Sequence, residues 1–356
     1  MTALITTKAQ GVTGKVRQFA AWALLCFSLP LAAESVPSAP DFTIGGWREV
    51  VVSVSSLDKH LDFFTEVAGW ETRHLGETDP AQLTAWQLPA EATAHEALVA
   101  NIGTQTGFVR LIDIDGIPQQ HIRSNSQSWD SGGILDINVR VVDMEKKFAE
   151  LQARDWQAPN DPVRYEFGPF EVSEWVTRGP DGLAFALIQR HRPELEGWPH
   201  LKELSRAFNS TTVVADMEAS RHFWMDILGF KKYIYSNAAN ETETRNLLGV
   251  PLNLTTTVNR EVWVLHPEGV NEGSVELLKF HGLTGRDFSD RASPANIGIA
   301  MLRFPVQGIT ALYDHLVEYG VTPKGDISTA AMPPYGSVKR FVVTTPDGVW
   351  LEFFEE

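Results

Sequence analysis

The chain has 356 residues, enough for two domains of ordinary size, and its hydrophobic content of 43% and charged content of 21% are typical of a soluble globular protein. Its formal net charge of −15, without any basic stripe, argues against nucleic acid as a partner. The acidity is better explained by solubility than by the choice of a partner.

The first 33 residues have the order of features of a secretory signal peptide. Three basic residues are the only charges before Glu34, an apolar run follows at residues 19–31, and Ala32-Ala33 supplies small residues for cleavage. The run is short for a membrane span. We therefore expect export to the periplasm or the extracellular space, with no stable membrane insertion of the mature chain. An uncleaved anchor and a start site set too far upstream are the alternatives.

Four related strand-to-helix units follow along the chain, and we number them in chain order. A linker at residues 34–46 precedes unit 1, and a Pro-containing connection at residues 190–203 separates units 2 and 3. The units begin with residues 49–70, 136–156, 209–230 and 296–321. The first segment, EVVVSVSSLDKHLDFFTEVAGW, aligns without a gap with the third, NSTTVVADMEASRHFWMDILGF. This internal repeat predicts two modules in tandem, at residues 47–189 and 204–356.

Alternation along each strand predicts which side chains share a face. In unit 1, Val50, Val52 and Val54 form an apolar face that suits packing against a helix. The opposite, concave face is predicted to carry Glu49, Val51 and Ser53 in unit 1, Asp136, Asn138 and Arg140 in unit 2, and Asn296, Gly298 and Ala300 in unit 4.

A strand, an acidic turn and a helix with paired aromatic residues ending in LGF resemble the start of a vicinal-oxygen-chelate module. That superfamily contains glyoxalases, bleomycin-resistance proteins and extradiol dioxygenases. Two later stretches, GPDGLAFALI at residues 179–188 and TPDGVWLEFFE at residues 345–355, resemble its closing turn and last strand. The resemblance implies an α+β fold of two tandem modules, each with two βαβββ units forming one curved mixed sheet around a cup. It says little about activity, because one fold hosts many chemistries.

The resemblance also implies where a metal would bind, since metal-using relatives take two ligands from each half of a module. The corresponding positions of the second module are Asn209, Glu276, Asn296 and Glu352. Two carboxylates and two amide oxygens suit Mg²⁺, Mn²⁺ or Ca²⁺ better than Zn²⁺ or Fe²⁺. Neither module has a histidine at these positions, which departs from the family. Without a cation, one of the two glutamates should be neutral at pH 7.

The corresponding positions of the first module are Glu49, Arg110, Asp136 and Ala186. Ala186 offers no donor atom, and Arg110 is a permanent cation where a ligand should be. The sequence therefore predicts a structural ion network of Glu49, Arg110 and Asp136 in place of a metal. The alternative is an arginine-based site for a carboxylated ligand.

Two functions remain open from the sequence. The first is a metal-assisted lyase, isomerase or dioxygenase, with Glu352 as metal ligand or general base, Glu276 as its acid partner and Tyr335 as a proton donor. The second is a non-catalytic binding protein of the bleomycin-resistance type. The missing histidines favour the second, and the two glutamates favour the first. In both cases the expected partner is a small oxygenated molecule, and no nucleotide cofactor is expected.

Overall fold

Each unit of the repeat folds as a strand, a helix and three further strands, in a computed structural model that describes residues 41–356. The predicted signal peptide at residues 1–33 and the first part of the predicted linker lie outside the described residues. The rest of that linker contains a two-residue strand, β1 (Thr43–Ile44), which pairs with unit 4. No helix described between residues 41 and 356 has the length and apolar character needed to cross a membrane.

The four units share the order strand, helix and three strands, and unit 1 has one additional helix before its third strand. Unit 1 contains β2 (Glu49–Val54), α1 (Leu57–Asp62), β3 (Trp70–Glu77), α2 (Pro80–Ala85), β4 (Thr93–Asn101) and β5 (Phe108–Asp115). Unit 2 contains β6 (Ile134–Arg140), α3 (Met144–Gln152), β7 (Val163–Phe167), β8 (Phe170–Arg178) and β9 (Ala184–Arg192). Unit 3 contains β10 (Asn209–Val213), α4 (Met217–Arg221), β11 (Lys231–Ala238), β12 (Asn259–His266) and β13 (Ser274–His281). Unit 4 contains β14 (Gly298–Gln307), α5 (Ile309–Glu318), β15 (Ser328–Ala331), β16 (Ser337–Thr344) and β17 (Trp350–Glu355).

The acidic turn of the repeat is a helix N-cap. The side chain of Asp143 accepts a hydrogen bond from the Lys146 amide, and Asp216 caps α4 in the same way. In units 1 and 3 the helix continues into one π-helical turn, Phe63–Val67 and His222–Ile227. Both turns stop at a glycine with positive φ, Gly69 or Gly229, a conformation that favours glycine.

The strands form two curved mixed sheets, as the predicted α+β fold requires, but the units combine differently from the prediction. One sheet has the order β15-β16-β17-β14-β2-β5-β4-β3, with β1 beside β14, and so joins units 1 and 4. The other has the order β11-β12-β13-β10-β6-β9-β8-β7 and joins units 2 and 3. The repeat shows that four units are alike, but it does not show which two pair. Because the first strands pair across modules, β2 with β14 and β6 with β10, each cup takes one unit from each module.

The helix-facing sides of both sheets share one apolar core, which contains Val50, Val52 and Ile137. Two turns fasten the sheets to each other. Asp181 in unit 2 accepts hydrogen bonds from the Ser55 amide (2.7 Å) and from His60 Nε2 (3.0 Å) of unit 1. The corresponding Asp347 of unit 4 is bonded by groups of unit 3. The two PDG stretches therefore make equivalent hydrogen-bonded contacts between the sheets.

Candidate functional site

The concave face of the sheet of units 1 and 4 is filled by a buried ion network, and we call this face the closed cup. The Arg110 guanidinium binds both oxygens of Glu49, with Nε–Oε1 and Nη2–Oε2 distances of 2.7 and 3.0 Å. Its Nη1 lies 2.6 Å from Oε1 of Glu96. These side chains are at most 1% exposed. Charges removed from water to this extent are tolerated because they are paired.

Two arginines of unit 4 extend the network. Arg303 on β14 donates from Nη1 to Oε1 of Glu49 at 2.6 Å and from Nε to Glu352. Arg340 on β16 binds the other oxygen of Glu352. Glu49 and Glu352 each lie between two guanidinium groups, so the network joins the two units across the middle of the sheet.

The arginines of the network favour the ionised forms of Glu49 and Glu352. Burial acts to raise the pKa of Glu49, but Arg110 and Arg303 together lower it to about 2. Burial also acts to raise the pKa of Glu352, and Arg303 and Arg340 hold it below its ordinary value. The pKa of Arg340 is lowered as well, because burial outweighs the attraction of Glu352. The lowered pKa of Glu352 favours its charged form, whereas the lowered pKa of Arg340 disfavours the charged form of that group. The geometry supports the ion-paired state, because both Glu352 oxygens contact a guanidinium.

Polar groups of the chain also cover the closed cup. Gln82 on α2 accepts a hydrogen bond from Arg303 through its Oε1. On the other side, the Tyr335 hydroxyl donates to Oε2 of Glu49 at 3.2 Å. The closed cup is therefore enclosed by its own side chains.

Two predicted catalytic residues, Glu352 and Tyr335, lie in the closed cup. Both oxygens of Glu352 are ion-paired, and burial raises the pKa of Tyr335 above its ordinary range, beside the charge of Glu49. The predicted partnership of Glu352 with Glu276 is not formed, because Glu276 belongs to the other sheet. For the same reason Asp136 is not part of the network that was predicted to contain Glu49, Arg110 and Asp136.

Asn296, a predicted metal ligand, is not a cup residue. Strand β14 begins only at Gly298, and its pairing with β2 shifts by one residue between Ile299 and Met301. This bulge reverses the alternation, so that Arg303 takes the cup position next to Glu49. The side chain of Asn296 bonds instead to backbone groups of neighbouring loops.

The concave face of the sheet of units 2 and 3 carries carboxyl groups outside any ion network, and we call it the open cup. Thr211, on the central strand β10, is paired with both Glu276 on β13 and Asp136 on β6. Since neighbouring strands are about 4.8 Å apart, the two carboxyl-bearing positions are about 10 Å apart along the sheet. Glu174 on β8 adds a third carboxyl. Among residues 41–356, no cation lies within salt-bridge distance of any of the three.

Burial moves the pKa values of two of these carboxyls, Glu276 and Asp136, toward neutral pH. Burial raises the pKa of Glu276 to about 8, and repulsion from Asp136 and Glu174 adds to the shift. Burial raises the pKa of Asp136 to about 7, although a hydrogen bond from Thr211 opposes it. The buried Oδ1 of Asp136 has no hydrogen-bond partner. Carboxyls with pKa values raised in this way can donate as well as accept hydrogen bonds near pH 7.

Asn209 lies beside these carboxyls, where its amide is already bonded. Asn138 Nδ2 donates to Oδ1 of Asn209 at 2.8 Å, and Asn209 Nδ2 donates to Oγ of Ser274 at 2.7 Å. The remaining oxygen, Oδ1 of Asn138, is buried without a partner. One amide oxygen in this row is thus free to accept a hydrogen bond.

Arginine and aromatic side chains stand near the carboxyls of the open cup. The Arg140 guanidinium lies 4.5 Å from the ring centre of Phe208, and that of Arg190 lies 4.0 Å from the ring centre of Phe170. Burial, helped by the charge of Arg190, lowers the pKa of Arg140 to about 10. These contacts place cations over aromatic faces rather than against carboxylates.

The connection between β11 and β12, at residues 239–258, covers part of the open cup. Its side chains Leu248, Val250 and Val258 pack with Val213 and Leu278 of the sheet. Glu276 and Glu174 nevertheless keep part of their surface exposed. The open cup therefore combines an apolar covering segment with acidic side chains that solvent can reach.

The residues at the family's ligand positions do not fit a metal ion. In the closed cup, Arg110 and Arg303 occupy two of these positions. In the open cup, strand register places Asn138, rather than the predicted Asp136, opposite Asn209 and Ala186. The positions therefore hold Glu276, the bonded pair Asn209 and Asn138, and Ala186, which has no donor atom. Within residues 41–356, no group of three or more His, Cys, Asp or Glu side chains is placed to hold a metal.

Several residues of both cups were not predicted from the sequence. They are Gln82, Glu96, Arg303 and Arg340 in the closed cup and Glu174 with its hydrogen-bond donor Tyr165 in the open cup. One feature of the sequence does indicate a further buried arginine. Arg303 is the single charge in the apolar stretch AMLRFPV, as Arg110 is in FVRLI. A single arginine inside an apolar strand needs a buried partner.

Comparisons with known proteins agree with this architecture. Residues 208–353 match the family model described as Glyoxalase/Bleomycin resistance protein/Dioxygenase superfamily. No curated protein matches the chain in sequence.

Three solved structures share the fold over most of the chain. Glyoxalase I from Zea mays has a TM-score of 0.55 at 17% identity, covering 88% of this chain and 93% of its own. A single-residue variant of that protein gives a TM-score of 0.56 at 16% identity, with 88% and 93% covered. A supposed dioxygenase from Bacillus subtilis gives 0.54 at 12% identity, with 88% and 86% covered. The chain thus carries, over residues 208–353, a domain of the Glyoxalase/Bleomycin resistance protein/Dioxygenase superfamily, and its whole described part has the two-sheet fold of these structures.

Proposed function

We propose that this protein binds a small oxygenated molecule in the open cup and that Asp136 and Glu276 exchange protons with it. The observation that supports the proposal is the pair of carboxyls with pKa values near 7 and 8, on either side of Thr211. Titratable groups poised near neutral pH are suited to general acid and base catalysis.

The reaction class that fits this pair is proton transfer next to a carbonyl group, as in an isomerase or a lyase. An ionised carboxylate takes a proton from carbon, and a protonated carboxyl donates to the oxygen that gains negative charge. Glu276 has the higher pKa and is therefore the more protonated of the two at pH 7, so we assign it as the proton donor and Asp136 as the base. The unpartnered oxygens of Asp136 and Asn138 would accept hydrogen bonds from hydroxyl groups of the bound molecule.

The predicted metal-assisted reaction does not fit either cup, because the residues at the ligand positions do not suit a metal ion. Glu352 has no part in the proposed chemistry, since its two oxygens are held by Arg303 and Arg340. We assign the roles of proton donor and base to Glu276 and Asp136 of the open cup.

Non-catalytic binding is the second candidate. The apolar cover formed by residues 239–258 and the aromatic side chains near Arg140 and Arg190 favour it, because such surfaces hold a ligand without reacting with it.

The two functions are separated by measuring deuterium exchange into candidate ligands. The purified protein is incubated in D₂O with dihydroxyacetone, pyruvate and similar small oxygenated compounds, and proton NMR follows loss of the hydrogen next to the carbonyl. We expect the wild type to accelerate exchange in at least one compound and Glu276→Gln to slow it about 100-fold or more, the usual range for a general acid or base.

The matched control is Glu166→Gln, which makes the same change at an exposed position of β7. It should exchange at the wild-type rate. Saturable binding of a compound without exchange would support the non-catalytic function. Neither binding nor exchange across the panel would refute both proposals for the open cup.

We also propose that the protein works outside the cytoplasm, on the basis of the signal-like order of residues 1–33. N-terminal sequencing of protein from the native host should find a chain that begins near Glu34. An intact Met1 in the cytoplasmic fraction would contradict export.

A further inference from the structure

A cavity of about 190 Å³ lies where the two sheets meet, next to the starts of β6 and β14. Ile134, Ile299 and Gly298 form its apolar and backbone walls, and the connection between units 1 and 2 supplies Arg123. Arg178, at the end of β8, lines it as well. The cavity is far larger than the roughly 10–15 Å³ that one water needs. It therefore has room for a small polyatomic ligand.

The two arginines of the cavity are held by neutral groups. Arg123 donates to the backbone carbonyls of Gly132 (2.7 Å), Asp130 (2.8 Å) and Gln127 (3.3 Å), and its buried Nε has no partner. An arginine has five N–H donors, so these three bonds leave some of its donors unused.

Arg178 makes fewer side-chain hydrogen bonds than Arg123. Its side chain makes one hydrogen bond, from Nη2 to Oγ of Ser126 at 3.0 Å. Across the part of the chain that the structure describes, neither Arg178 nor Arg123 has a carboxylate oxygen within salt-bridge distance. Both guanidinium groups therefore keep donors and charge available to a ligand.

The one carboxylate in the cavity wall, that of Asp181, is already engaged. It accepts hydrogen bonds from the amide and hydroxyl of Ser55 and from His60 Nε2. Asp130, nearby, is paired with Arg286. Burial lowers the pKa of Arg123 to about 10, and the second largest cause is repulsion from Arg178. Two like charges held close together in a half-buried cavity would be stabilised by an anion between them.

We propose that this cavity binds a small oxyanion, a carboxylate, phosphate or sulfate group, between the guanidinium groups of Arg123 and Arg178. The planar fork of each guanidinium matches two oxygens of such a group. Neither Asp136 nor Glu276 lines the cavity, although the charge of Asp136 acts on both guanidinium groups. Anion binding there does not depend on the proposed proton transfer.

The test is calorimetric titration of the full chain with sodium phosphate, sodium sulfate and sodium acetate, in a buffer adjusted with NaCl to constant ionic strength. We expect saturable binding of at least one anion, with one site per chain. Arg178→Gln should weaken it about tenfold or more, because it removes a charge-assisted hydrogen bond. Arg178→Lys, which keeps the charge but not the fork, should be intermediate.

Two controls fix the location of the site. Arg164→Gln makes the same change at an exposed arginine of β7 and should bind like the wild type. Glu276→Gln should also bind like the wild type, since the open cup does not take part. No saturable binding by the wild type, equal binding by Arg178→Gln and wild type, or loss of binding in the Arg164 or Glu276 variant would overturn the proposal. Near-UV circular dichroism checks that each variant is folded. If Arg178→Gln does not fold, the test rests on Arg178→Lys, and wild-type affinity of that variant would overturn the proposal.

Discussion

The two cups are built from equivalent positions of the same repeat, and they differ in how their charges are used. By strand register, Arg110 in the closed cup corresponds to Glu276 in the open cup. Three further pairs correspond in the same way: Arg303 with Asn138, Glu352 with Ala186, and Arg340 with Glu174. In the closed cup each carboxylate meets a guanidinium. In the open cup, Asn209 and Ala186 replace the carboxylates Glu49 and Glu352. The open-cup carboxyls Glu276 and Glu174 stand instead where the closed cup has Arg110 and Arg340, so they have no cation at the equivalent positions.

This difference shows how a repeated fold can place paired charges in one cup and unpaired carboxyls in the other. The closed cup binds units 1 and 4 through charges that are stable only together, so no single member is free to react. The open cup keeps carboxyls in a partly buried site without ion pairs, which is unfavourable for folding but moves their pKa values toward neutral pH. The same type of substitution should therefore have opposite effects in the two cups.

The largest effect is expected from Arg303→Met. Arg303 bridges Glu49 and Glu352, so its loss leaves the buried network with an excess negative charge. We expect the free energy of unfolding to fall by about 3–5 kcal/mol, as is usual when a buried ion pair loses one partner. Urea unfolding measures the change.

Arg164→Met is the control for this change, because Arg164 is an exposed arginine of the other sheet. Its effect should stay below about 1 kcal/mol. If both variants unfolded at the same urea concentration, the network would not hold units 1 and 4 together.

The second effect is expected from Glu352→Gln, which removes one negative charge from the closed cup. Arg303 and Arg340 would then share a neutral amide in place of a carboxylate. We expect a loss of about 3 kcal/mol at pH 7. The pKa of Glu352 is lowered in the folded state, so this part of the stability is present above the ordinary carboxyl pKa and disappears as the pH falls below it. Wild type and variant should therefore converge in acid, and a constant difference down to pH 2 would contradict the ion-paired state.

The matching substitution in the open cup, Glu276→Gln, should stabilise the protein at alkaline pH. The pKa of Glu276 is about 8 in the folded state against 4.5 without burial, so the folded state holds a proton that the unfolded state has lost between these values. Wild-type stability therefore falls as the pH rises from about 4.5 to 8. Partial exposure reduces the full effect of the shift, and we expect the variant to gain about 2 kcal/mol at pH 9 and nothing at pH 4.

Urea unfolding at pH 4, 7 and 9 gives this profile for Glu276→Gln, Glu352→Gln and the wild type. The comparison between the cups fails if the two variants shift stability in the same direction at pH 9.

The sequence predicts the local structure of this protein better than the partnership of its units. The repeat, the Asp143 and Asp216 caps and the stops at Gly69 and Gly229 are local features, so residues close together in the chain define them. Sheet formation between units is a long-range choice, and four similar first strands offer several pairings. The structure pairs β2 with β14, which no local pattern indicated.

Correct prediction of the candidate site required knowing which units pair in each sheet. Asn209 and Glu276 were placed correctly on one concave face, since they belong to the same unit and alternate without interruption. Asn296 was misplaced because a bulge in β14 reverses the alternation, and bulges leave little trace in side-chain pattern. Glu352 was expected to face Glu276, yet it lies in the other cup with Arg303 and Arg340. The expectation that one acid would be neutral at pH 7 now applies to Glu276 with Asp136 and Glu174 as its neighbours.

The smallest effect is expected from divalent cations. At the family's ligand positions the open cup has one carboxylate, Glu276, beside two amides that bond to each other and Ala186, while the closed cup has Arg110 and Arg303. Such sets offer a hard cation little charge, and Mg²⁺ and Ca²⁺ rely on several oxygen ligands. If the dissociation constant exceeds about 10 mM, then 1 mM Mg²⁺, Mn²⁺ or Ca²⁺ should stabilise the fold by less than about 0.1 kcal/mol. Thermal unfolding at constant ionic strength, on wild type and on Glu276→Gln, measures this directly. A saturable stabilisation of the wild type that Glu276→Gln removes would show that the open cup rearranges around a cation, and the contrast between the cups would then be one of metal binding rather than of proton binding.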